Sequence, residues 1–396
     1  MYESTALIER YFQAFSSGDI EGALACIHQD AIWHVDGDPE VVTTGIIRGR
    51  EAVRAWLLGF PDGFRPITFS IEQQFSDQAE ILVLGRFRHR VLPSESIVDS
   101  DYAIRFTLRD GLIGRYQIFE DSLLISQARA NSSPGRMMRI NGVLYGWDDV
   151  GQGKPVVFLH GLFLDRSFWA PHLHTLAAQR RCVAFDMPGH GVSTWREGMD
   201  LDAIAEDIAL WLIENDAAPA TLVGHSQGGM IAIRLAASYP ELVERLILVN
   251  TSARAELINR LPEWEKRRDA LLDGPERRRE VFGEVQRFTT TAQWREQHSL
   301  DAEKELELMM RHDPTLLSHA LSAAIFKRGD VRELLPRIGC PVTVISGAQD
   351  LATPPYLAEE IARLVQHGEV VVIDDAAHHV PIEVPKNFIE AVLNEV

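Results

Sequence analysis

Cysteine is scarce in this sequence of 396 residues, which contains Cys26, Cys182 and Cys340. The number is odd and no pair has the spacing of zinc ligands, so we expect neither a disulfide framework nor a metal site. An apolar run long enough to span a membrane is also missing. The N-terminal stretch MYESTALIER carries acids and no cationic segment ahead of an apolar one, which predicts no signal peptide. A protein of the reducing cytoplasm fits these absences.

Positive charge is in short supply as well. The 39 Lys and Arg residues are outnumbered by 57 Asp and Glu residues, which gives a formal net charge of −18. Nucleic acids and anionic membranes carry the same sign of charge, so neither is expected as a partner. The chain is longer than one hydrophobic core usually supports, and two domains are therefore expected.

The first predicted domain, residues 1–125, has helices followed by strands. A second helix is expected after Asp19 and includes Ile27, and a third begins near Arg50. After Phe64 the apolar period shifts toward two, which predicts strands that end with LIGRYQIFEDSLLI. Helices followed by antiparallel strands indicate an α+β arrangement. The first of these helices is predicted over residues 3–15, because one apolar face recurs at helical spacing. This face consists of Leu7, Ile8, Tyr11, Phe12 and Phe15.

Residues 126–136, SQARANSSPGR, are polar and lack periodicity, as is typical of a linker. The second predicted domain covers residues 137–396 and starts with a tight hairpin at Asn141-Gly142. Apolar strands then alternate with amphipathic helices, which predicts a parallel sheet covered on both faces. Residues 253–337 break this alternation and predict a helical lid between two strands. The predicted strands are VVFLHG, CVAFDM, TLVGHS, RLILVN, VTVISG and EVVVIDD.

A nucleophile is predicted at Ser226. The segment TLVGHSQGGMIAIRLA places Gly224-His225-Ser226-Gln227-Gly228 between an apolar strand and an apolar helix. This context indicates the G-x-S-x-G elbow, a turn so sharp that side chains in place of the two glycines would collide with backbone. The turn exposes the serine hydroxyl at the start of the helix.

A serine hydroxyl needs a base to take its proton and an acid to orient that base. In folds that carry the G-x-S-x-G elbow, the three residues follow one another along the chain in the order serine, acid and histidine. Asp350 follows the strand VTVISG and His378 follows EVVVIDDAA, so both lie at the carboxyl ends of strands, where open sheets place their sites. His379 competes as the base, and Asp374 and Asp375 compete less well as the acid.

The oxyanion hole is predicted from the backbone amides of Gln227 and Leu162. Gln227 follows the nucleophile, and Leu162 follows His160-Gly161 after the strand VVFLHG. Asn250 occupies a place where an acid can arise but is itself not an acid, and His190 is expected in a structural turn.

From Gly142 to Val396 the sequence resembles the α/β-hydrolase superfamily. The shared motifs are HG at 160–161, DMPGHG at 186–191, GHSQGG at 224–229, GAQDLATPP at 347–355 and HHVPIEVP at 378–385. Relatives usually show Glu at +5 and Pro at +7 from the catalytic histidine. Glu383 and Pro385 fit His378 in this way, which favours it over His379.

The resemblance extends most closely to the 3-oxoadipate enol-lactonase-like and carboxylesterase-like branches. It implies an enzyme without cofactor or metal that cleaves a small carboxylic ester or lactone through an acyl-enzyme. Cofactor-free haloperoxidases (perhydrolases) and C–C bond hydrolases share the triad and remain alternatives. Aromatic residues of the lid are candidates for lining an acyl pocket: Trp264, Phe282, Phe288, Trp294 and Phe326.

Residues 2 to about 125 resemble the SnoaL-like, nuclear-transport-factor-2-like group, a cone of one sheet and three helices, through YFQAFSSGD, GREAVRAWL and RDGLIGRYQIFED. Ketosteroid isomerases of this group use a Tyr and two Asp. Tyr11 fits the tyrosine, but the two Asp positions fall on Val35 and Tyr102, which speaks against isomerase chemistry. Tyr11, His34 and Asp36 are candidate cone-lining groups. A cyclase or isomerase, and a binding or homodimerising module, remain alternatives for this domain.

Overall fold

The computed structural model describes residues 2–38, 41–77, 79–130 and 135–393. By its internal contacts the chain divides into two compact units, Met1–Met138 and Arg139–Val396. We call them the N-terminal unit and the hydrolase unit and describe each by itself. Among the described residues, no helix has both the length and the apolar character needed to cross a membrane.

The N-terminal unit contains the predicted helices and a mixed sheet. Its helices are α1 (Tyr2–Ser16), α2 (Ile20–Ala25), α3 (Arg50–Gly63) and α4 (Ser122–Ala130). Its strands are β1 (Ile27–Val35), β2 (Gly45–Arg48), β3 (Phe64–Asp77), β4 (Glu80–Val91), β5 (Ser96–Arg109) and β6 (Leu112–Phe119). Along the sheet they run β2-β1-β6-β5-β4-β3, with β1 parallel to β6 and each other neighbouring pair antiparallel.

Two predictions for this unit are wrong in detail. Ile27 begins a strand rather than extending the second helix, because α2 ends at Ala25 and β1 pairs with both β2 and β6. The predicted last strand stops at Phe119, and its apolar end belongs to α4. The Asp121 carboxylate accepts the amide of Leu124 at 2.8 Å, which satisfies one of the free N–H groups at the start of this helix.

The predicted linker, 126–136, is therefore partly regular structure. Its first five residues complete α4, and Arg136 begins a strand, β7 (Arg136–Ile140). A buried apolar face formed by Leu124, Ile125 and Ala128 explains the helix. Residues 131–134 of the predicted linker lie outside the described residues.

The hydrolase unit contains the predicted parallel sheet. Its further strands are β8 (Val143–Val150), β9 (Pro155–Leu159), β10 (Arg181–Phe185), β11 (Ala220–His225), β12 (Val243–Val249), β13 (Val342–Gly347) and β14 (Gly368–Ile373). Neighbours run β14-β13-β12-β11-β9-β10-β8, all parallel except β8. Asn141 and Gly142, both at positive φ, form the predicted tight turn before β8.

Helices accompany these strands as the alternating pattern predicts. They are α5 (Ala170–Leu176), α6 (Leu201–Glu214), α7 (Gln227–Ser238), α8 (Leu261–Leu271), α9 (Gly274–Thr289), α10 (Ala292–Gln297), α11 (Ser299–Arg311), α12 (Pro314–Leu321), α13 (Pro355–Leu364), α14 (Val380–Glu383) and α15 (Pro385–Leu393). Helices α8 to α12 lie between β12 and β13, where the lid is expected, and a π-helical turn, Ser322–Phe326, follows α12.

Candidate active site

Ser226 lies at a one-residue turn between β11 and α7. Its φ of 50° and ψ of −113° fall outside the regions that L-residues favour, as the elbow motif predicts. The Ser226 amide donates to the Val249 carbonyl at 2.9 Å, and the Thr251 hydroxyl donates to the Ser226 carbonyl at 2.7 Å. The end of β12 and the residues after it therefore hold the strained turn in place.

Two glycines make this turn sterically possible. A Cβ atom on Gly228 would lie 2.0 Å from the Leu159 carbonyl oxygen, and one on Gly224 would lie 2.6 Å from the Gly228 carbonyl oxygen. Both neighbours are backbone atoms, which cannot rotate away as a flexible side chain can. The steric reason for the glycines of the motif is confirmed by this packing.

The structure brings the predicted acid and base together. His378 Nδ1 lies 2.8 Å from Asp350 Oδ2, although the two residues come from loops after different strands. The Thr353 hydroxyl donates to the same carboxylate at 2.7 Å, and Asn250 donates its side-chain amide at 2.6 Å. The Asp350 side chain is thus fixed from three directions.

The environment of Asp350 also keeps it ionised. Burial alone would raise the pKa of its carboxyl group. The nearby His378 imidazole outweighs burial, with hydrogen bonds from the Thr353 amide and Asn250, and holds the pKa well below its usual range. An ionised Asp350 accepts the Nδ1 proton of His378, which leaves Nε2 as the basic nitrogen.

The adjacent histidine has a different partner. His379 Nδ1 lies 2.6 Å from Glu305 Oε1 on α11, and both side chains are buried. His379 therefore has no place in the Asp350 pair, and the structure places His378 there. Asp374 and Asp375, the lesser candidates for the acid, are exposed.

The loop that carries His378 is attached to the lid. The Thr289 carbonyl at the end of α9 accepts the amides of both His378 and His379, at 2.9 and 3.1 Å. Glu383 joins the two segments, since Oε1 accepts the Ala377 amide at 3.0 Å and Oε2 accepts the Thr291 amide at 2.8 Å. These contacts, together with the His379–Glu305 pair, are called the lid clamp below.

His225 is a site residue that the sequence interpretation missed. Its Nε2 lies 2.9 Å from the His378 carbonyl oxygen, so the residue before the predicted nucleophile also holds the predicted base. Burial, reinforced by His378 and His379, keeps the pKa of His225 far below its usual value. The ring is therefore neutral, and Nε2 carries the proton that it donates. Its place in the elbow motif was a signal, but its partner lies 153 residues away in the chain.

A cavity of about 70 Å³ joins the predicted groups. Ser226, His378, Leu162 and Gln227 all line it, and Asp350 is connected through His378. The hydrogen bonds of the His378 ring to Asp350 and Thr353 are both at Nδ1, so Nε2 is the nitrogen left for the serine proton. The five predicted site residues thus meet at one place.

Only part of the predicted aromatic lining faces this cavity. Trp264 and Phe288 line it, whereas Phe282, Trp294 and Phe326 are absent from its walls. Phe282 is fully buried and packs edge-on against Phe163 with ring centroids 5.4 Å apart, so it belongs to the core. Aromatic residues at helical spacing serve packing and lining alike, and the sequence pattern does not separate the two.

His190 and Asn250 have supporting positions. His190 Nε2 accepts the amide of Phe163 at 3.0 Å, next to Leu162 in the loop after β9, as expected for a structural turn. Asn250 is no acid but donates to the acid, Asp350. Both residues are buried.

The N-terminal unit encloses a cavity of its own, about 450 Å³ in volume and lined largely by apolar and aromatic side chains. Tyr11 lines it, as expected, but His34 and Asp36 do not. His34 points to the other face of β1 from Val35, which does line the cavity, because side chains alternate along a strand, and Asp36 follows the end of β1. His34 and Asp36 instead pair with each other at 2.9 Å near the surface.

The second isomerase position has a structural role. The Tyr102 hydroxyl donates to the Ser70 carbonyl at 2.9 Å on the neighbouring part of the sheet. A carboxyl group that the sequence interpretation missed, Glu120, lines the cavity instead. Burial, with a smaller contribution from Asp121, raises the pKa of Glu120 to about 7. Within residues 2–38, 41–77, 79–130 and 135–393, no three His, Cys, Asp or Glu side chains are arranged to hold a metal ion.

Known proteins resemble the chain in both parts. A model of the alpha/beta hydrolase fold matches residues 154–385, and a model of the SnoaL-like domain matches residues 8–116. The predicted fold class, a SnoaL-like α+β domain followed by an α/β-hydrolase fold, is confirmed by these matches and by the observed sheets.

Individual relatives match about three fifths of the chain. The chain is 25% identical over 252 residues to an (E)-2-((N-methylformamido)methylene)succinate hydrolase of Acinetobacter baylyi, over 61% of this chain and 89% of that protein. It is 30% identical over 244 residues to a pimeloyl-(acyl-carrier protein) methyl ester esterase of Neisseria meningitidis, over 57% and 86%. The solved enol-lactonase of Burkholderia xenovorans LB400 superposes with a TM-score of 0.60 at 26% identity, over 65% of this chain and 98% of that one.

The esterase and lactonase among these relatives belong to the same fold as the unit in which Ser226, Asp350 and His378 meet. Since the alpha/beta hydrolase model matches more than half of the chain, the protein belongs to the alpha/beta hydrolase fold family.

Proposed function

We propose that the protein is a serine hydrolase that cleaves a carboxylic ester or lactone through an acyl-enzyme. The observation that carries the proposal is the hydrogen bond between His378 Nδ1 and Asp350, beside a cavity that His378 shares with Ser226. The similarity to a methyl ester esterase and to an enol-lactonase supports the same bond class.

In the proposed reaction, Ser226 Oγ attacks the carbonyl carbon while His378 Nε2 takes its proton. Asp350 stabilises the imidazolium that forms. The amides of Leu162 and Gln227 donate to the negative oxygen of the tetrahedral intermediate, and such donors typically contribute about 3–4 kcal/mol each. His378 then protonates the leaving alkoxide, and water repeats the cycle to release the acid.

The test is hydrolysis of a panel of aryl esters and small lactones by the full chain and by Ser226→Ala. We expect the wild type to turn over a panel member and Ser226→Ala to fall to background. The matched control is Ser299→Ala, which changes an exposed serine of the lid and should keep wild-type activity. Equal activity of wild type and Ser226→Ala would overturn the proposal. Ser226-dependent peracid formation or C–C cleavage without ester hydrolysis would replace it with one of the two alternatives that share the triad.

The N-terminal cavity favours a second activity, which we propose separately. Glu120 is a cavity-facing carboxyl group with a pKa near neutrality, surrounded by apolar side chains. The ionised carboxylate of such a group can remove a proton from the α-carbon of a β,γ-unsaturated ketone. The same group then returns the proton to the γ-carbon of the ligand, which moves the double bond into conjugation with the carbonyl group. The ligand class is a neutral, apolar ketone.

The full chain with Ser226→Ala, which lacks the proposed nucleophile, is the background for this test. A neutral bicyclic β,γ-unsaturated ketone is the probe, and ultraviolet absorbance follows its conjugated product. We expect turnover that is lost in Glu120→Gln and kept in Glu9→Gln, a change on the exposed surface of α1. A rate equal to that in buffer alone rules the activity out.

A further inference from the structure

The charged side chains that line the cavity of the hydrolase unit carry a net positive charge, opposite in sign to the net charge of the whole protein. Arg260, Arg328 and Glu256 all contribute to its walls. The side chains of Arg328 and Glu256 are only 9% and 7% exposed. Two guanidinium groups and one carboxylate leave an excess of positive charge beside the nucleophile, in a protein whose net charge is −18.

The ion pairs that these two arginines form with Glu256 are long. Arg328 Nη2 lies 3.5 Å from Glu256 Oε2, and Arg260 Nη1 lies 3.7 Å from Glu256 Oε1. Hydrogen bonds between guanidinium and carboxylate groups are usually about 2.7–2.9 Å long. Arg254 shows what such a pair looks like nearby, because it binds Glu360 through two contacts of 2.7 Å each. The single Glu256 carboxylate is thus shared between two arginines and satisfies neither closely.

Burial adds to this imbalance. It lowers the pKa of the Arg328 guanidinium, an effect that Glu256 opposes and that Arg260 and Arg234 reinforce. Arg328 also donates to the carbonyl of Arg254 at 3.0 Å, which fixes the side chain. A second anion beside Arg328 would complete the compensation that Glu256 begins.

Gln227 presents an unused polar group to the same cavity. Its residue is 1% exposed, and its side-chain nitrogen and oxygen find no hydrogen-bond partner in the described part of the chain. Buried amides are normally hydrogen-bonded, so an unpartnered one that lines a cavity points to a polar group of a ligand. Its side chain is separate from its backbone amide, which is assigned above to the oxyanion hole.

Met230 connects Arg328 to the turn that carries Ser226. Arg328 Nη1 lies 3.9 Å from the Met230 sulfur, and the Met230 amide donates to the Ser226 carbonyl at 3.1 Å, one turn along α7. Arg328 therefore contacts a residue one helical turn along α7 from the serine, and Arg328 and Ser226 line the same cavity of about 70 Å³. The small volume of this cavity suits a short acyl chain.

We propose that Arg328 and Arg260, with the Gln227 side chain, form a subsite for a carboxylate carried by the acyl part of the substrate. The substrate class is then a half ester of a short dicarboxylic acid, or a lactone with a free carboxylate. The acyl part is favoured because it stays attached to Ser226 at the start of α7 during both half-reactions. The assignment of an ester substrate rests on the proposed hydrolase function. The binding of a carboxylate at Arg328 and Arg260 does not depend on that function.

The test compares monomethyl glutarate with methyl pentanoate, whose chains match in length and differ in the carboxylate. The full-length wild type should show a kcat/KM at least about 10-fold higher for the half ester, the ratio expected from one charge-assisted hydrogen bond. In Arg328→Met this preference should fall about 10- to 100-fold, mainly through KM. Arg328→Lys should restore part of it.

Arg332→Met is the matched control, since Arg332 pairs with Asp330 and Glu360 and does not line the cavity. It should leave both rates unchanged. If Arg328→Met does not fold, Arg260→Met, whose side chain is 30% exposed, takes its place. A wild type without preference for the half ester, or a variant that slows both esters equally, would overturn the subsite.

Binding separates the two proposals. Monomethyl glutarate and methyl pentanoate are titrated by calorimetry into the Ser226→Ala protein, which lacks the proposed nucleophile, and into the same protein with Arg328→Met added. Half-ester binding that Arg328→Met abolishes, together with a wild type that hydrolyses no ester, would support the subsite and refute the hydrolase. Ester hydrolysis by the wild type without preferential binding or turnover of the half ester would do the reverse.

Discussion

Gly228 has no space for a side chain, because the backbone of Leu159 lies where its Cβ would be. We expect Gly228→Ala to lose ester hydrolysis and to destabilise the protein by about 1–3 kcal/mol or more, as overpacking next to rigid backbone does. Chemical denaturation and ester turnover measure the two effects. Gly339→Ala is the control, since nothing lies within 4 Å of a Cβ there. Similar behaviour of the two variants would show that the elbow tolerates a side chain.

Glu120 gives the N-terminal unit a pH-dependent stability. Its pKa is raised from the usual 4.5 to about 7, so the folded state holds the proton more tightly than the unfolded state. The stability from this group is complete below pH 4.5 and is lost as the pH rises to about 7. The glutamine side chain in Glu120→Gln cannot ionise, so the variant does not lose this stability as the pH rises.

We therefore expect the Tm advantage of Glu120→Gln over wild type to grow between pH 4.5 and 7 and to stay constant above it. Thermal melts at a series of pH values measure this, with Glu9→Gln as the exposed control. An advantage independent of pH would mean that folding does not raise the pKa of Glu120.

At the scale of elements, the regular parts of the chain were predictable. The strands of the hydrolase unit are near-continuous apolar runs, and each appears where the sequence predicts it. The errors lie where short apolar runs fit a strand and a helix equally, as in Leu123-Leu124-Ile125, and where β1 follows a short helix without a break. Local pattern carries no information about pairing with a distant strand such as β6.

The candidate active site was predictable in part as well. Ser226, Asp350 and His378 stand in motifs that chain order and strand ends identify, so sequence alone is enough to propose them. The hydrogen bonds by which His225 and the lid residues hold the His378 loop could not be found, because they join residues that are far apart in the chain. The lining of the cavity by Arg328 likewise depends on how the lid folds back over α7.

The role of the lid clamp in positioning His378 can be tested by a substitution at Glu383. Glu383 accepts one amide with each carboxylate oxygen, so Glu383→Gln presents an NH₂ group to one of them and leaves a buried donor unsatisfied. We expect a loss of about 1–3 kcal/mol in unfolding free energy and a fall in kcat larger than the change in KM. Glu359→Gln, an exposed change on α13, is the control. An unchanged kcat in a destabilised protein would show that the clamp does not position His378.

At the scale of the whole molecule, two compact units predict two unfolding steps. Each unit has its own buried core, represented by Ile113 in β6 and Ile247 in β12, both fully buried. Replacing either with alanine should cost about 2–5 kcal/mol. In calorimetry we expect Ile113→Ala and Ile247→Ala to lower different transitions. A single transition that both variants shift equally would mean that the protein unfolds as one cooperative system.

The lid clamp also restricts how such an enzyme can be altered, in evolution or in the laboratory. A lid inserted between two strands looks like an exchangeable cassette, to be swapped for a relative's to change specificity. Here Thr289, Thr291 and Glu305 of the lid hold the loop that carries His378, so a transplanted lid must bring equivalent acceptors and donors or lose the alignment of His378. A new lid and a loop that fits it have to be acquired together.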